Sequence, residues 1–417
     1  MHRIAAALVL FSSAAAFAAD WPAWRGPTGQ GISEEKNLPL KWSAKQNVKW
    51  KVPLANPGNS TPIIHGGKIF LTQANKGGSE RSLICFDRAD GKVLWQKNVA
   101  YTEKERNWNE TWYANASPAT DGERVVVSFG SAGVYCFDFT GKEVWKRTDL
   151  GKWEHAFGNS ASPVIYDDLV IQWCGVNESG KNYLLAMEKK TGKTLWEKQE
   201  SFGSWSTPVI AKIDGKDQLL LGYSTDAKGG PPEKHGFLRG YDPKTGKELW
   251  KCQGLNSYVY TSPLVGEGVA VNMSGYGGSA LAVKLGGEGD ITGDRYWYHA
   301  RPAGQRVGSG VIIGENVYMV DEDCVPHCYE LKTGNDLWKN EGKIRGGVTW
   351  GSITAADGRL YLLMRNGETN VLAAKPKFEL LANNPLDGSQ TNSSIAISNG
   401  ELFIRTFKDL WCISEKK

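Results

Sequence analysis

Two short phrases recur along the chain, one after the other, at a nearly constant distance. The first begins with Ser or Thr, usually followed by Pro, and the second is close to Thr-Gly-Lys-x-x-Trp. The Ser/Thr of the first phrase stands at eight positions, which lie 42 to 56 residues apart: Thr61, Ser117, Ser162, Thr207, Ser262, Ser309, Ser352 and Ser394. Repeats of about 40–50 residues are the size of one four-stranded propeller blade. The spacing therefore predicts an all-β, eight-bladed β-propeller.

The second phrase ends in Trp in five of the repeats: Trp95, Trp145, Trp196, Trp250 and Trp338. Blades pack face to face, and a large flat ring fills the wedge between two of them. Its N–H can also donate to a carbonyl next door. We therefore expect these indoles to be structural tryptophan docking residues. The Gly of the phrase supplies the positive φ needed where the third strand reverses into the fourth.

The ends of the chain predict how the ring closes. Within the second repeat, strands are expected over 117–120, 124–130, 134–139 and 143–146. The last repeat, 393–414, offers only three strands, over 394–397, 401–406 and 409–413. Residues 48–52 precede the first inner strand and resemble an outer strand with its Trp. We predict that this strand pairs into the last blade, which removes an exposed sheet edge.

The first 19 residues have the pattern of a secretory signal peptide. Arg3 precedes an apolar run over 4–11, and Ala16-Phe17-Ala18 resembles a cleavage site. A membrane anchor is the alternative, but the stretch is short and rich in Ala and Ser. No other segment reaches the roughly 18 apolar residues of a membrane span. We therefore expect residues 20–417 to form one monomeric propeller domain that is periplasmic or secreted.

Charge and cysteine content narrow the partners and the redox chemistry. The formal net charge is +4, without a Lys/Arg cluster, so we expect no nucleic-acid partner. Seven cysteines are an odd number for an oxidising compartment. Cys85 and Cys136 occupy equivalent third-strand positions and are expected to be buried thiols. Cys324 and Cys328 flank a short loop that contains His327. A disulfide between them is one interpretation, and a metal pair with His327 is a less favoured one.

These repeats resemble the quinoprotein-type, PQQ-binding-like propeller family, which includes pyrroloquinoline quinone (PQQ) dehydrogenases and an outer-membrane assembly lipoprotein. The opening Trp-Pro-Ala-Trp-Arg-Gly-Pro over 21–27 adds to the resemblance, which extends to about Ile413. For the dehydrogenases, it implies a quinone between an aromatic ring and a disulfide of adjacent cysteines. It also implies Ca²⁺ held by a carboxylate and an amide oxygen, and an Asp base. No two cysteines are adjacent in this chain, and no motif matches those ligands. The lipoprotein carries a lipidated Cys that this chain lacks. A shared fold does not transfer function.

Candidate site residues follow from where propellers bind ligands, at the mouth of the central channel. The segments just before the eight Ser/Thr positions are rich in aromatic, amide and cationic side chains. The predicted rim consists of Trp112, Tyr113, Asn115, His155, Asn159, Trp205, Tyr258, Tyr260, Arg306, Arg345, Trp350 and Asn392. Such a rim suits a flat or sugar-like ligand. The alternative is that these residues plug the channel, and a structural role is favoured for His155. Asp321 and Asp323 are secondary candidates for holding a hard cation, a solvated acidic loop being the favoured interpretation.

Three functions remain open at this stage. The leading hypothesis is an exported propeller that binds a small molecule, glycan or envelope protein at its funnel without catalysis. The alternative is a PQQ- and Ca²⁺-dependent quinoprotein oxidoreductase acting on an alcohol or sugar. The second alternative is a scaffold for envelope assembly. No hydrolase nucleophile motif is present.

Overall fold

A computed structural model describes residues 20–106, 112–153, 155–176, 181–201, 203–224, 236–256, 258–275, 278–300, 306–339 and 341–415. Its strands form eight antiparallel sheets, the blades, which follow one another along the chain. Each blade begins with its inner strand and ends with its outer strand. Within the described ranges, none of the helical segments has the length and hydropathy of a membrane span.

The strands of blades 1 to 4 have the following bounds. Blade 1 contains Ile63–His65, Lys68–Ala74, Glu80–Asp87 and Val93–Ala100. Blade 2 contains Ala119–Thr120, Arg124–Ser128, Val134–Asp138 and Glu143–Arg147. Blade 3 contains Val164–Tyr166, Leu169–Cys174, Asn182–Glu188 and Thr194–Glu200. Blade 4 contains Val209–Ile213, Lys216–Ser224, Gly236–Tyr241 and Glu248–Gln253.

Blades 5 to 8 complete the ring. Blade 5 contains Leu264–Gly266, Val269–Met273, Ala280–Lys284 and Arg295–His299. Blade 6 contains Val311–Ile313, Asn316–Val320 and Pro326–Glu330. Blade 7 contains Thr354–Ala356, Arg359–Leu363, Thr369–Ala373 and Leu380–Asn384. Blade 8 contains Ala396–Ser398, Glu401–Arg405 and Asp409–Ile413, with Val48–Pro53 as its outer strand. Short 3-10 turns cover Gly130–Ala132 and Thr292–Asp294.

The predicted eight-bladed propeller and its mode of closure are both confirmed. Val48–Pro53 pairs antiparallel with Asp409–Ile413, which places Lys51 opposite Trp411. The Lys51 ammonium also lies 3.1 Å from the Asp409 carboxylate. Because the two ends of the chain share one sheet, the last blade gains a fourth strand.

The eight Ser/Thr positions form a closed ring of hydrogen bonds around the axis, which we call the Ser/Thr ring. The backbone N–H of each donates to the side-chain oxygen of the next, in the order Thr61, Ser117, Ser162, Thr207, Ser262, Ser309, Ser352, Ser394 and back to Thr61. The N···O distances run from 2.8 Å at Thr61 to 3.1 Å at Thr207 and Ser394. A hydroxyl one bond from Cβ is short enough to reach a neighbouring inner strand, so this position favours Ser or Thr in every blade.

On the outer strands, indole N–H groups donate to a carbonyl of the next blade. The donors are Trp50, Trp95, Trp145, Trp196, Trp297 and Trp338, and the acceptors are Arg88, Phe139, Lys189, Pro243, Leu331 and Pro376. Trp250 differs, because its N–H donates to Gln218 within its own blade at 2.7 Å. Its third-strand partner is Gly240, where an added Cβ would lie 2.2 Å from the Trp250 Nε1 atom. The missing side chain therefore lets this indole turn inward.

Two blades depart from the four-stranded plan. In blade 6 the fourth strand is reduced to a single bridge between Tyr329 and Asp336. The Asp336 carboxylate turns inward and lies 2.7 Å from Nδ1 of His327. In blade 4 the two-residue strand Gly289–Asp290, which belongs to the third-to-fourth strand connection of blade 5, adds a parallel fifth strand.

All seven cysteines are free and buried, so the disulfide expected between Cys324 and Cys328 is not formed in the structure. Cys324 follows the second strand of blade 6, and its sulfur lies 3.9 Å from the Glu322 carbonyl oxygen. Cys328 lies within the third strand, with its sulfur 3.7 Å from Asn316 Oδ1. Burial raises the pKa of both thiols to about 12, which keeps them protonated at neutral pH. Cys85 and Cys136 are buried thiols, as predicted.

Residues 20–33 form a crossing segment over one end of the central channel, which we call the lower end. Trp21 and Ile64 of blade 1 exchange two backbone hydrogen bonds, of 3.0 and 2.8 Å. The Pro22 carbonyl accepts from Thr120 N–H of blade 2 at 2.8 Å. Farther along, Gly31 accepts from Ala355 N–H of blade 7 at 2.7 Å. This non-repeating segment therefore ties opposite sides of the ring together.

Candidate functional site

The upper end of the channel holds a cavity of about 460 Å³. Its wall follows one rule, because the residue two positions before each member of the Ser/Thr ring lines it. These eight residues are Asn59, Asn115, Ser160, Trp205, Tyr260, Val307, Trp350 and Asn392. The volume falls within the range of small-molecule sites. The repeat therefore gives each blade one side chain at a shared cavity.

Blades 8, 1 and 2 contribute a wall of amides. Asn392 Nδ2 donates to Asn59 Oδ1 at 3.4 Å, and Asn59 Nδ2 donates to Asn115 Oδ1 at 2.8 Å. Asn115 Nδ2 in turn donates to the carbonyl of Asn159 at 3.2 Å. The chain of amides fixes each side chain in one orientation. The buried Oδ1 atom of Asn392 accepts no hydrogen bond from the residues that the structure describes.

Blades 3 to 5 contribute a wall of aromatic rings around Trp205. The Trp205 ring lies 5.2 Å from Tyr260 and 6.3 Å from Phe157, measured between centroids. Its indole N–H donates to the Gly158 carbonyl at 2.9 Å, which fixes the ring plane. Only 5 % of the Trp205 surface is exposed, whereas Tyr260 and Phe157 are half-buried. This wall therefore presents ring surface to a ligand without needing to rearrange.

Two further groups complete the cavity. On the side of blades 6 and 7, the Trp350 indole N–H donates to Glu322 Oε1 at 3.2 Å. Glu322 is the only carboxylate among the described lining residues, which include no Lys, Arg or His. Below, Trp24 of the crossing segment lines this cavity and also a larger one at the lower end. The Trp24 indole is therefore the partition between the two ends.

The structure brings five of the predicted rim residues to the cavity: Asn115, Trp205, Tyr260, Trp350 and Asn392. Three more lie directly behind them. The buried His155 ring packs 4.8 Å from Trp205 and its Nδ1 accepts from Phe157 N–H at 3.1 Å. Tyr258 stacks on Tyr260 at 6.2 Å. Asn159 bonds the Trp153 carbonyl at 2.6 Å. These three support the wall.

Four predicted residues lie elsewhere. Trp112 packs its ring edge-on against Phe407 at 5.5 Å. Tyr113 has its ring 5.2 Å from the Arg81 guanidinium. Arg306 is fully buried, and Arg345 is exposed to solvent; neither lines the cavity.

The acidic loop does not gather its carboxylates around one point. Asp321 is buried and lies 3.6 Å from His327 Nε2, whereas Asp323 is exposed and pairs with Lys343 at 3.4 Å. Within the part of the chain that the structure describes, no three His, Cys, Asp or Glu side chains form a metal-binding group. Burial alone would lower the pKa of His327, but the carboxylates of Asp321 and Asp336 outweigh it and raise that pKa.

The side chains of the upper cavity do not fit a PQQ–Ca²⁺ site of the dehydrogenase kind. PQQ is a planar tricarboxylate, and such an anion needs cationic partners when it is desolvated. The described lining residues offer one carboxylate, Glu322, and no cation. Arg365 lies behind the wall, over the Trp350 ring at 5.1 Å. No lining residue is a cysteine, so the disulfide that covers the quinone is also missing.

Sequence reasoning missed six lining residues: Trp24, Asn59, Phe157, Ser160, Val307 and Glu322. For three of them a signal was present. Asn59, Ser160 and Val307 each stand two positions before a member of the Ser/Thr ring, and applying that offset to every repeat would have found them. Trp24 and Glu322 lie in a non-repeating segment and in a loop, for which the period predicts nothing.

Comparison with known proteins gives a consistent result. A family model described as "Outer membrane protein assembly factor BamB" matches residues 35–106 and 79–340. The chain is 23% identical over 211 residues to "1-butanol dehydrogenase (quinone)" from Thauera butanivorans, which covers 46% of this chain and 32% of that protein. It is also 23% identical over 214 residues to the assembly factor BamB of Legionella pneumophila, covering 51% of this chain and 50% of that one.

Among solved structures, the quinohemoprotein alcohol dehydrogenase of Comamonas testosteroni superimposes with a TM-score of 0.67 at 12% identity. The match covers 97% of this chain and 82% of that chain. At that identity the likeness shows the fold alone. The sequence matches span half or less of these curated relatives, so the activity of those whole proteins is not carried by the match.

Proposed function

Because the chain belongs to the PQQ-like propeller family described as outer membrane protein assembly factor BamB, we propose that it is an exported propeller that binds a neutral sugar or short glycan in its upper cavity, without catalysis. The observation that carries the proposal is the composition of the cavity wall: amides on one side, aromatic rings on the other and no cation among its described residues. The family relates the chain both to quinone-dependent alcohol dehydrogenases and to BamB, so the choice between roles depends on the cavity.

Charge favours a neutral ligand. An anion would meet the Glu322 carboxylate without a cationic partner, at a cost that rises as water is excluded. A neutral polyol meets no such cost. Its C–H faces pack against Trp205 and Tyr260, and its hydroxyl groups bond to amides and to Glu322.

Hydrogen-bonding capacity points the same way. The buried Asn392 Oδ1 atom has no donor among the described residues, although Asn392 lines the cavity. A buried acceptor without a partner costs about 1–3 kcal/mol. A ligand hydroxyl supplies the missing donor, whereas a carboxylate or a quinone oxygen cannot.

The test is titration of the mature protein with a panel of neutral oligosaccharides, such as cellotriose and maltotriose, and with an oligogalacturonate as the anionic counterpart. Binding is followed by tryptophan fluorescence and calorimetry. We expect a neutral member to bind, the anion to bind at least 10-fold more weakly, and Trp205→Ala to weaken binding at least 10-fold. The matched control is Trp112→Ala, which removes a rim indole that does not line the cavity. The proposal fails if no neutral glycan binds the folded protein, or if both variants weaken binding equally.

The quinoprotein alternative has its own experiment. The protein is incubated with PQQ and Ca²⁺ and assayed with alcohols and an artificial electron acceptor. We expect no spectral shift and no turnover, because the wall has no partner for the carboxylates of PQQ. Turnover of any alcohol would replace the binding proposal with that of an oxidoreductase.

We further infer that residues 1–19 direct export and that residues 20–417 act as a monomeric domain. The evidence is the charged start, apolar run and small-residue cleavage pattern. N-terminal sequencing of the protein from the cell envelope should begin at or next to Asp20, and light scattering should give one chain's mass. An intact N-terminus in the membrane fraction would contradict the inference.

A further inference from the structure

The lower end of the channel holds a second, larger cavity of about 1550 Å³. One side of it is the crossing segment, and the other is formed by the inner strands of blades 3 and 4, with contributions from blades 2 and 5. Trp24 separates this cavity from the upper one. It therefore offers a binding surface that the proposed sugar site does not use.

The crossing segment shows how the lower end binds polypeptide. In blades 1, 2, 5 and 7, the backbone N–H three positions after the Ser/Thr ring member donates to this segment. The donors are Ile64, Thr120, Val265 and Ala355, and the acceptors are the carbonyls of Trp21, Pro22 and Gly31 and the Gln30 side chain. The inner strands are thus free edges that accept an extended chain. In blades 6 and 8 the same segment bonds other groups, the Gly310 carbonyl through Arg25 and the Asn399 N–H through Glu35.

Blades 3 and 4 are the exception. The equivalent residues are Ile165 and Ile210, and both line the cavity and are half-buried. Their register matches that of Ile64, since all three occupy the middle of the pairing between first and second strands. Their N–H groups therefore point toward the channel, and neither has a hydrogen-bond partner among the described residues. Two adjacent strand edges remain open for pairing.

Spacing and charge indicate what fits there. Two successive residues, Trp21 and Pro22, are enough to bridge the adjacent blades 1 and 2, so two residues of an incoming extended chain can bridge blades 3 and 4 in the same way. The cavity is lined by six carboxylate residues, Asp20, Glu34, Glu35, Asp214, Asp217 and Glu267, against one cation, Lys212. On a chain of net charge +4 this is a local excess of negative charge. It favours cationic side chains on the partner.

We propose that the lower cavity binds an extended, basic segment of another protein, which pairs its backbone with the open inner edges of blades 3 and 4. The floor of Val164, Val209 and Val265 side chains accepts the apolar side chains of that segment. Backbone pairing supplies affinity, and the acidic rim selects for Lys or Arg. The site is separate from the sugar-binding cavity, so either proposal can fail while the other stands.

The test uses a fluorescein-labelled peptide built on the crossing segment itself, Lys-Trp-Pro-Ala-Trp-Lys, with Glu-Trp-Pro-Ala-Trp-Glu as its counterpart. Fluorescence polarisation at low salt measures binding to the full mature chain. We expect the Lys peptide to bind at least 10-fold more tightly than the Glu peptide. The double variant Glu34→Lys and Glu267→Lys, at two exposed positions of the rim, should weaken binding at least 10-fold.

A matched double variant, Glu143→Lys and Asp323→Lys, changes the net charge equally at exposed carboxylates outside the cavity. It should leave affinity within 2-fold. Ile210→Pro removes the open N–H at a strand edge that tolerates Pro, and should weaken binding while circular dichroism stays unchanged. The proposal is overturned if neither peptide binds, or if both double variants weaken binding equally. Self-association abolished by the rim variants would also overturn it, because the occupant would then be a second copy of this chain.

Discussion

The Ser/Thr ring predicts that the same substitution has different costs at two of its positions. Ser262 is fully buried and makes two bonds with Thr207, accepting from its N–H at 3.1 Å and donating to its carbonyl at 2.7 Å. Ser162 accepts one bond, from Ser117 N–H at 3.0 Å, and it lines both cavities. Replacement by Ala deletes the hydroxyl in each case. Only at Ser162 can water enter from a cavity and take its place.

The magnitudes follow from these contacts. Ser262→Ala leaves a buried N–H without an acceptor and removes a second hydrogen bond, which should lower the free energy of unfolding by about 2–4 kcal/mol. At Ser162 a water molecule can replace the acceptor, so the loss should be about 0.5–1.5 kcal/mol. Ser201→Ala, at an exposed position, should change stability by less than about 0.5 kcal/mol.

Urea unfolding followed by tryptophan fluorescence measures the three values, provided the slope with denaturant is unchanged between variants. Amide hydrogen exchange adds a local test, because the Thr207 N–H should lose protection in Ser262→Ala. Equal losses at Ser262 and Ser162 would refute the argument that access to water sets the cost. A loss under about 0.5 kcal/mol at Ser262 would refute the role of the ring itself.

Two further predictions concern blades 4 and 6. Gly240→Ala puts a methyl group 2.2 Å from Trp250 Nε1, so it should cost about 1–3 kcal/mol and change the near-ultraviolet circular dichroism; Ala186→Gly, at the equivalent site opposite Trp196, should leave that spectrum unchanged. The pKa of His327 is raised in the folded state, so its charged form stabilises the fold. That contribution is complete below the unfolded pKa of about 6.5 and is lost as pH rises through the folded value. The stability difference between wild type and His327→Gln should therefore shrink between pH 5.5 and 8.5; a difference independent of pH would contradict this.

The fold was predictable because its determinants are repeated and local. A Ser or Thr hydroxyl reaches the neighbouring backbone whatever surrounds it, so eight such positions revealed eight blades. Where a determinant was degenerate, the prediction failed. Trp297 occupies the outer-strand position of blade 5, but its turn reads Thr292-Gly293-Asp294 and lacks the usual Lys, so it was overlooked.

The site was only partly predictable, because side-chain direction changes from one residue to the next. Trp205 and Asn392 stand two positions before a ring member and line the cavity, whereas Arg306 stands three before and does not. Residue type alone could not separate them. The crossing segment could not be predicted either, since its hydrogen bonds join residues that lie far apart in the sequence, such as Gly31 and Ala355.

The joint between blades uses only one backbone N–H and one small hydroxyl per repeat, and it does not involve the side chain two positions earlier. The cavity wall can therefore change residue by residue while the blades remain fastened as before. One such scaffold can acquire a new specificity through a handful of independent substitutions, each introduced on a separate blade, without redesigning how the propeller holds itself together.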